Sequence, residues 1–354
     1  MHLIHIVDNI EPVNQGIWKA AISTAIILKK KYSVTSELWF PRPQQLLSEK
    51  DFADVELKEI EPERSVPEFK INDVIILSHG AWRFPTKWAN HLRKKGLPWI
   101  YNPQGMLEPW SRNQKPLRKW VYYHLIEKPM TQKASLIRAV GKPEFDNLSK
   151  SFNHVVLIPN GIDIPLRIPS KETIEPIQFL FMARLHHKKG IVPLVEGWIH
   201  SALKNHQGFR LVIAGPDQGE LSKIMNLIQS SHTSNIVCKV AVYGEEKETL
   251  LQKSHFYVLP SFSEGFPTGV IEAMSRGLIP LISRGCNFPE AFNTQLAISA
   301  EPDSQKLIKS LEFAAEIDKN KYSLMSLNVY EFVKNHYSLE HIADMQSTLY
   351  KTLI

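Results

Sequence analysis

The chain has 354 residues, of which 43% are hydrophobic and 22% are charged, and this balance is typical of a soluble globular protein. Its length exceeds what one hydrophobic core usually serves, so we expect about two domains. No apolar run reaches the roughly 18 residues that a membrane-spanning helix needs, and the two cysteines, Cys238 and Cys286, lack the spacing of a disulfide framework or a zinc site.

The first half of the chain alternates strand and helix patterns from its first residues. Because no basic region precedes an apolar one there, we expect no secretory signal and a cytoplasmic location. Strands separated by helices form parallel sheets covered on both faces, so we predict a Rossmann-like domain over residues 1–164. A helix is predicted at residues 16–31. Strands are predicted at residues 3–7, 36–40, 74–77, 99–101, 136–140 and 155–158.

The same alternation starts again after a polar, Pro-containing segment at residues 163–176, which we interpret as a linker. It predicts a second Rossmann-like domain over residues 165–330. Helices are predicted at residues 304–318 and 327–353, and we expect residues 331–354 to form a C-terminal helix that packs back towards the first domain. The fold class is therefore α/β, with two Rossmann-like domains facing a central cleft. Strands of the second domain are predicted at residues 178–182, 209–214, 237–243, 256–259 and 278–282.

The formal charge of +6 is distributed unevenly along the chain. Residues 81–133 contain eleven Lys or Arg and two acids, so this stretch carries 11 − 2 = +9 and the remainder carries 6 − 9 = −3. The same stretch holds five of the eight tryptophans. Two interpretations remain open: a surface for peripheral contact with an anionic membrane, or solvated basic helix faces with the tryptophans in the core. We expect no nucleic-acid partner, because no nucleic-acid-reading motif accompanies the charge.

Two carboxylates, Glu264 and Glu272, lie eight residues apart in a predicted strand, loop and helix. Pro267 suits the first helical position, which would leave the backbone N–H groups of Thr268 and Gly269 free to bind an anion. This spacing indicates one ligand touched at two places. The alternative is a helix N-terminus that carries favourable acids and no ligand.

Two cations follow the first strand of the second half. Arg184 and Lys189 lie five residues apart, where a guanidinium fork and an ammonium could clamp a diphosphate. Gly16 follows the first strand of the chain, where the missing Cβ would let the backbone approach a phosphate or a sugar. Taken singly, these residues also fit a surface loop and a plain turn.

Short motifs spread over nearly the whole chain carry a resemblance to a known family. They are Arg184 with Lys189-Gly190, Ala214-Gly215-Pro216, Val242-Tyr243-Gly244, Leu259-Pro260-Ser261 through Glu264 to Glu272-Ala273-Met274, and Asn160-Gly161-Ile162-Asp163. Together they resemble retaining nucleotide-sugar glycosyltransferases of family 4, which have the two-domain GT-B fold. Residues 103–110 also resemble a signature of bacterial surface-polysaccharide enzymes.

The resemblance implies a role for each matching residue. Arg184 and Lys189 would bind the donor diphosphate, and Glu272 would hold the ribose hydroxyls, because an ionised carboxylate accepts hydrogen bonds from vicinal hydroxyls. Glu264 would contact hydroxyls of the transferred sugar and orient its anomeric carbon, and it forms the catalytic pair with Gln104. The implied donor-binding set is Gly16, Arg184, Lys189, Phe266, Thr268, Gly269 and Glu272.

The resemblance also implies the reaction. A hexose-type sugar would pass from UDP- or GDP-sugar to a saccharide acceptor, lipid-linked, in surface polysaccharide or lipopolysaccharide biosynthesis, with the first domain on the acceptor side. The family retains the anomeric configuration by front-face attack, so neither a metal nor a cofactor is expected, because cationic side chains stabilise the departing diphosphate. The expected location is cytoplasmic, at the inner face of the membrane.

Gln104 departs from the family pattern, because relatives commonly have His before the Gly-Met pair. Glutamine can form hydrogen bonds but cannot act as a general base at neutral pH. This leaves a second hypothesis, a non-catalytic nucleotide-sugar-binding protein on the same fold. Detection of sugar transfer would separate the two.

Overall fold

The computed structural model describes residues 1–11, 15–41, 52, 55–60, 73–82, 84–108, 116–169, 171 and 175–354. These residues form two compact units: unit 1 consists of residues 1–162 and 337–354, and unit 2 of residues 163–336. Part of the predicted linker at 163–176 and several residues of the basic stretch lie outside the described residues. In the basic stretch these are residue 83 and residues 109–115, which include Arg83, Trp110, Arg112 and Lys115.

Unit 1 is built on a parallel sheet. Its seven described strands have the order β3-β2-β1-β4-β5-β6-β7. The strands are β1 (His2–Ile6), β2 (Thr35–Phe40), β3 (Glu56–Glu59), β4 (Val74–His79), β5 (Trp99–Asn102), β6 (Leu136–Ala139) and β7 (Val155–Leu157). The described helices are α1 (Gln15–Ile22), α2 (Ala25–Tyr32), α3 (Phe84–Arg93), α4 (Pro116–Tyr122), a π-helix (Tyr123–Glu127), α5 (Lys128–Thr131) and α6 (Lys142–Leu148).

The helix predicted at residues 16–31 is divided into α1 and α2. Two hydroxyl residues lie at the break: Ser23 Oγ donates to the Ala20 carbonyl at 3.2 Å, and Thr24 Oγ1 donates to Gln346 Oε1 at 2.6 Å. Short hydroxyl side chains compete with the helix for hydrogen bonds in this way. The prediction of one continuous helix was wrong because the local sequence pattern cannot reveal Gln346, which is 322 residues away from Thr24 in sequence.

Unit 2 repeats the parallel architecture with a second sheet. Its six described strands have the order β10-β9-β8-β11-β12-β13. The strands are β8 (Ile177–Met182), β9 (Phe209–Ala214), β10 (Ile236–Lys239), β11 (Phe256–Leu259), β12 (Ile279–Ile282) and β13 (Ile298–Ser299). The described helices are a 3-10 helix (His187–Lys189), α7 (Ile191–His200), α8 (Leu221–Ser230), α9 (Gly244–Lys253), α10 (Thr268–Met274), a second 3-10 helix (Arg284–Cys286), α11 (Pro289–Asn293) and α12 (Ser304–Ala315).

The C-terminal part of the chain forms two helices, α13 (Lys319–Tyr337) and α14 (Leu339–Lys351). The helical segment predicted at residues 327–353 is therefore interrupted at Ser338, whose side chain accepts a hydrogen bond from the His341 N–H and caps α14. Buried residues of α14 pack into unit 1, where Ala343 and Tyr350 join a core cluster with residues of β1 and α2.

Every predicted strand is present, although one ends several residues earlier than predicted, and two strands of the structure, β3 and β13, were not predicted. β10 ends at Lys239 rather than at residue 243, because its neighbour β9 ends at Ala214 and the pairing ends there. β3 was missed because its sequence, Glu-Leu-Lys-Glu, is charged, as edge strands often are. Among the described residues, no helix is both long and apolar enough to cross a membrane. The prediction of two α/β units with parallel sheets is confirmed.

Candidate functional site

Glu264 lies in the loop between β11 and α10, at the carboxyl end of the parallel sheet of unit 2, and is only 8% exposed. Its N–H donates to the Gly285 carbonyl at 2.7 Å, and its own carbonyl accepts from Asn287 Nδ2 at 2.6 Å. The loop is thereby fixed to the segment that follows β12. The backbones approach so closely that a Cβ on Gly285 would lie 2.3 Å from the Ser261 carbonyl oxygen.

Lys189 and Glu264 form an ion pair that uses both carboxylate oxygens. Lys189 Nζ lies 2.7 Å from Oε1 and 2.6 Å from Oε2. Lys189 ends the 3-10 helix that follows β8, and Gly190 comes next with φ +69°. A Cβ on Gly190 would lie 2.0 Å from the Pro260 carbonyl oxygen. This close approach brings the cation to the carboxylate, so two residues that the sequence placed in separate motifs are in direct contact.

Arg184 follows β8 and its side chain is exposed. Its backbone passes against Gly215, where a Cβ would lie 1.9 Å from the Ala183 carbonyl oxygen. The pKa of Lys188 is lowered to about 8, mainly by burial and in smaller part by the positive charges of Lys189 and Arg184, while the charge of Glu264 opposes the change. Lys188 and Lys189 therefore lie close to the Glu264 carboxylate, and Arg184 lies close enough to Lys188 to affect its pKa.

The first turn of α10 differs from its prediction. Pro267 has φ −85° and ψ 57°, so it is the residue before the helix and not the first helical residue. The Thr268 N–H donates to the Phe266 carbonyl at 2.9 Å. One of the two N–H groups predicted to be free for an anion is therefore used within the loop. In the described part of the chain, the Gly269 N–H has no hydrogen-bond acceptor.

Glu272 lies on α10 and is half-buried, with Oε1 2.6 Å from Lys247 Nζ. Tyr257 lies close to both acids: burial, then Glu272, then Glu264 raise the pKa of its hydroxyl well above the usual value. That hydroxyl donates to the Met182 carbonyl at 2.7 Å. A Cβ on Gly269 would lie 2.8 Å from the Tyr257 hydroxyl oxygen, so the packing against Tyr257 requires glycine at this position.

The sequence did not identify Lys247 or Tyr257 as parts of this site. Tyr257 belongs to the apolar strand β11, where only its hydroxyl hinted at a buried hydrogen-bond partner. Lys247 lies in the charged helix α9, where nothing distinguishes it from its neighbours.

The candidate residues of unit 1 are Gly16 and Gln104. Gly16 is exposed, and a Cβ there would meet no atom within 4 Å. Gln104 follows β5 with φ +52°, a left-handed conformation that costs free energy for a residue other than glycine. Gln104 Nε2 lies 3.0 Å from His79 Nδ1, and His79 Nε2 lies 3.1 Å from His5 Nδ1. Gln104 is thus joined to a buried histidine pair that the sequence did not reveal.

Glu144 fixes the turn that contains Gln104. Its Oε1 accepts from the Gly105 N–H at 2.6 Å, and its Oε2 accepts from the Val140 N–H at 2.9 Å. Burial raises the pKa of Glu144 to about 7, against the lowering effect of these two hydrogen bonds. Sequence reasoning missed Glu144, because an acid in the first turn of a helix usually serves only the helix.

Within the described ranges, no three His, Cys, Asp or Glu side chains are grouped to hold a metal ion. The described part of the basic stretch contains both core and exposed tryptophans, so each of the two interpretations fits some of them. Trp88 and Trp99 are core residues, at 7% and 0% exposure. Trp120 is 58% exposed on α4.

A family model described as "Glycosyl transferases group 1" matches residues 166–331, close to the bounds of unit 2. One subunit of the phosphatidylinositol N-acetylglucosaminyltransferase of Arabidopsis thaliana is 25% identical over 203 residues, which are 55% of this chain and 43% of that protein. GDP-mannose:cellobiosyl-diphosphopolyprenol alpha-mannosyltransferase of Xanthomonas oryzae pv. oryzae is 29% identical over 129 residues, 36% of this chain and 34% of that protein. The chain thus spans less than half the length of these curated relatives.

The fold has counterparts among solved structures. The crystal structure of Anabaena HepE in complex with UDP and glucose has a TM-score of 0.76, with 14% identity and 100% of both chains covered. At this identity the likeness establishes the fold. The chain has the two parallel-sheet α/β domains of GT-B glycosyltransferases, and the match at residues 166–331 supports a group 1 glycosyltransferase.

Proposed function

We propose that this protein is a retaining glycosyltransferase. It moves a hexose-type sugar from a UDP- or GDP-sugar to a saccharide acceptor, lipid-linked, in surface polysaccharide or lipopolysaccharide biosynthesis. The observation that carries the proposal is the bidentate ion pair between Lys189 and Glu264, beside Arg184, within the segment that matches the family model. A mannosyltransferase among the relatives has a name that specifies GDP-mannose and a diphosphopolyprenol-linked acceptor.

The charges of unit 2 suit a nucleotide diphosphate. Arg184 is exposed and can form a bidentate contact to phosphate, and Lys189 and Lys188 add positive charge beside it. These cations would stabilise the negative charge that develops as the diphosphate departs, so the proposed chemistry needs no metal ion or cofactor. The Gly269 N–H would add one donor, whereas the Thr268 N–H is already used by Phe266.

The two acids have separate proposed roles. Glu264 accepts hydrogen bonds from hydroxyls of the transferred sugar, and its loop is held rigidly by Gly285 and Asn287, as sugar orientation requires. Glu272 accepts from the ribose hydroxyls. Each acid is paired with a lysine, Lys189 or Lys247, and in the proposed complex the acids exchange these ion pairs for contacts to the nucleotide sugar.

A thermal-shift screen of UDP- and GDP-sugars tests the donor part of the proposal, since a ligand that binds the folded state raises the melting temperature. The best donor is then used to measure nucleotide diphosphate release with a saccharide acceptor. Arg184→Ala should weaken donor binding by about 1.5–3 kcal/mol if its guanidinium bonds to phosphate. Arg210→Ala, which removes an exposed arginine of β9, serves as the control. Equal donor affinity in both variants would remove Arg184 from the site.

A non-catalytic nucleotide-sugar-binding protein is the second candidate, and Gln104 favours it. The amide cannot act as a general base at neutral pH, and its nitrogen is bound to a buried histidine. Product formation that disappears in Glu264→Gln would exclude this candidate. Donor binding without any transfer would support it.

We also propose that the protein works at the inner face of the membrane through part of residues 81–133. Four large apolar side chains are exposed on α4 and the π-helix that follows it: Leu117 (76%), Trp120 (58%), Val121 (40%) and Leu125 (72%). Arg118 and Lys119 lie among them in sequence, and cations beside exposed apolar side chains suit a surface of anionic lipid.

Vesicle sedimentation tests the membrane part. The wild-type protein should bind vesicles of anionic phospholipid at low salt more tightly than neutral vesicles. Trp120→Ser with Leu125→Ser should reduce this binding at least tenfold, because burial of large apolar side chains contributes about 1.5–3 kcal/mol each. Leu324→Ser with Leu327→Ser, at exposed positions of α13, is the matched control. Equal binding by both double variants would disprove the assignment.

A further inference from the structure

The side-chain amide of Gln104 is held through its nitrogen. Its Nε2 faces His79 Nδ1 at 3.0 Å. In the described part of the chain no donor bonds to its Oε1. Gln104 as a whole is half-buried. The nitrogen of the amide therefore faces a histidine, and its oxygen has no hydrogen-bond donor among the described residues.

The backbone around Gln104 is fixed before any ligand arrives. Gln104 has the left-handed φ of +52°, and the next N–H, that of Gly105, donates to the buried carboxylate of Glu144. The Met106 N–H closes the turn by donating to the Pro103 carbonyl at 3.1 Å. A strained residue persists only where its surroundings determine it, so the turn holds the amide in one place.

Behind the amide, two histidines form a buried chain of hydrogen bonds. His79 is 1% exposed and His5 is 3% exposed, and their rings join through His79 Nε2 and His5 Nδ1. Burial lowers the pKa of both rings, and the buried guanidinium of Arg138 lowers it further, to about 3 for His5. A neutral imidazole has one donor and one acceptor, so the hydrogen bonds of the chain must all run in the same direction.

The direction of these hydrogen bonds follows from the end of the chain at Gln104. Because Gln104 Nε2 can only donate, His79 Nδ1 accepts, and His79 Nε2 therefore carries the proton and donates to His5 Nδ1. Both rings then have the proton on Nε2. The opposite tautomer would turn the amide over and present its nitrogen to the outside.

We propose that His79, supported by His5, is a positioning residue that holds the Gln104 amide with its carbonyl oxygen outward, as an acceptor for a hydroxyl of the bound sugar. His79 is covered by protein and does not touch the ligand itself. The proposal rests on the proposed function, because it assigns Gln104 to a sugar. It also predicts a specificity: the sugar position that faces Gln104 must carry a group that donates a hydrogen bond.

The orientation can be measured without any substrate. Side-chain ¹⁵N NMR of the ligand-free protein distinguishes the two imidazole tautomers. We expect His79 and His5 both to carry the proton on Nε2 at neutral pH. A proton on Nδ1 of His79 would overturn the proposal, because the amide nitrogen of Gln104 would then face outward.

The consequence for the sugar is measured with donors in which one hydroxyl at a time is replaced by fluorine, which cannot donate. For one position, the wild-type kcat/KM should fall about tenfold, the equivalent of one neutral hydrogen bond. His79→Leu should lose this discrimination. His79→Asn should keep most of it, because the amide oxygen of asparagine lies where Nδ1 of histidine accepts. Thermal unfolding shows that each variant is folded.

A double variant distinguishes a positioning role of His79 from a general disturbance of the site. If His79 acts through Gln104, His79→Leu adds no further loss of discrimination to Gln104→Ala. An additive loss would contradict the proposal. If no nucleotide sugar binds or reacts, the proposed function fails, and the NMR experiment still decides the orientation of the amide.

Discussion

At the scale of single residues, the contact between Lys189 and Glu264 was not predictable from sequence. Both residues were identified as candidates, but for different parts of a ligand: the lysine for a diphosphate and the glutamate for a sugar. The structure pairs them at 2.6 Å because Gly190 lets the loop after β8 lie against Pro260. Periodicity along one helix or strand carries no information about two loops that follow different strands.

This ion pair gives a prediction about stability. The side chains of Lys189 and Glu264 are 14% and 10% exposed. Removing one partner leaves a charge with little access to water, so Lys189→Met should lower the free energy of unfolding by about 3–5 kcal/mol. Lys189→Met combined with Glu264→Gln should recover much of that loss, because no unpaired charge remains. Urea denaturation of both variants measures the difference.

The control for this experiment is an exposed pair in the same unit. Lys239 and Glu246 are 38% and 55% exposed, and Lys239→Met should cost less than about 1 kcal/mol. If the double variant at Lys189 and Glu264 is less stable than either single variant, the charge argument is wrong and packing accounts for the loss.

At the scale of secondary-structure elements, the neighbouring strands β1 and β4 each contribute one histidine to a buried pair. His79 is the last residue of β4, two residues beyond the end of the strand predicted at residues 74–77. The sequence could not place His5 beside it, because the pairing of β1 with β4 skips β2 and β3. Strand order is decided by how the helices and connections pack, and not by the pattern within a strand.

The buried pair predicts how stability depends on pH. The pKa of His5 falls from 6.5 to about 3 on folding, so the folded protein keeps His5 neutral while the unfolded chain protonates it. Stability from this group is therefore present above pH 6.5 and is lost as the pH falls towards 3, at about 1.4 kcal/mol for each pH unit. His5→Asn, which retains an acceptor for His79, should reduce the slope of unfolding free energy against pH in this window.

Glu144 also contributes to the pH dependence of stability, so the effect of His5 has to be measured as a difference between variants. Its folded pKa is raised to about 7, so by the same argument its contribution falls as the pH rises from 4.5 to 7. The difference between His5→Asn and the wild type isolates the histidine, and His154→Gln, at an exposed position, should leave the wild-type slope in place. An unchanged slope in His5→Asn would show that His5 is not the titrating group.

At the scale of the whole molecule, unit 1 is assembled from two distant parts of the chain. The C-terminal helix α14 joins α2 through Lys31, whose Nζ lies 2.6 Å from Asp344 Oδ1, and through the bond between Thr24 and Gln346. Tyr350 is 2% exposed in a cluster with residues of β1 and α2. The last residues of the chain therefore stabilise its first strand.

A truncation after Ser338 tests this arrangement by hydrogen exchange. Loss of one large core side chain such as Tyr350 costs about 3 kcal/mol, which corresponds to roughly a hundredfold faster exchange. We expect that increase in β1 and α2, while β8 and β11 of unit 2 keep their protection. Glu340→Gln, at an exposed position of α14, should change neither set. Faster exchange in unit 2 as well would contradict the assignment of α14 to unit 1.

The sequence by itself determined the alternation of strands and helices, the two parallel α/β units and the loop positions of Arg184, Lys189 and Glu264. These follow from local periodicity and from the rule that ligand-binding residues follow parallel strands. Only the tertiary structure decided that Lys189 pairs with Glu264 and that Glu144 and a histidine pair fix Gln104. The physical reason is that these contacts depend on which loops and strands become neighbours, and that is settled by packing across the whole chain.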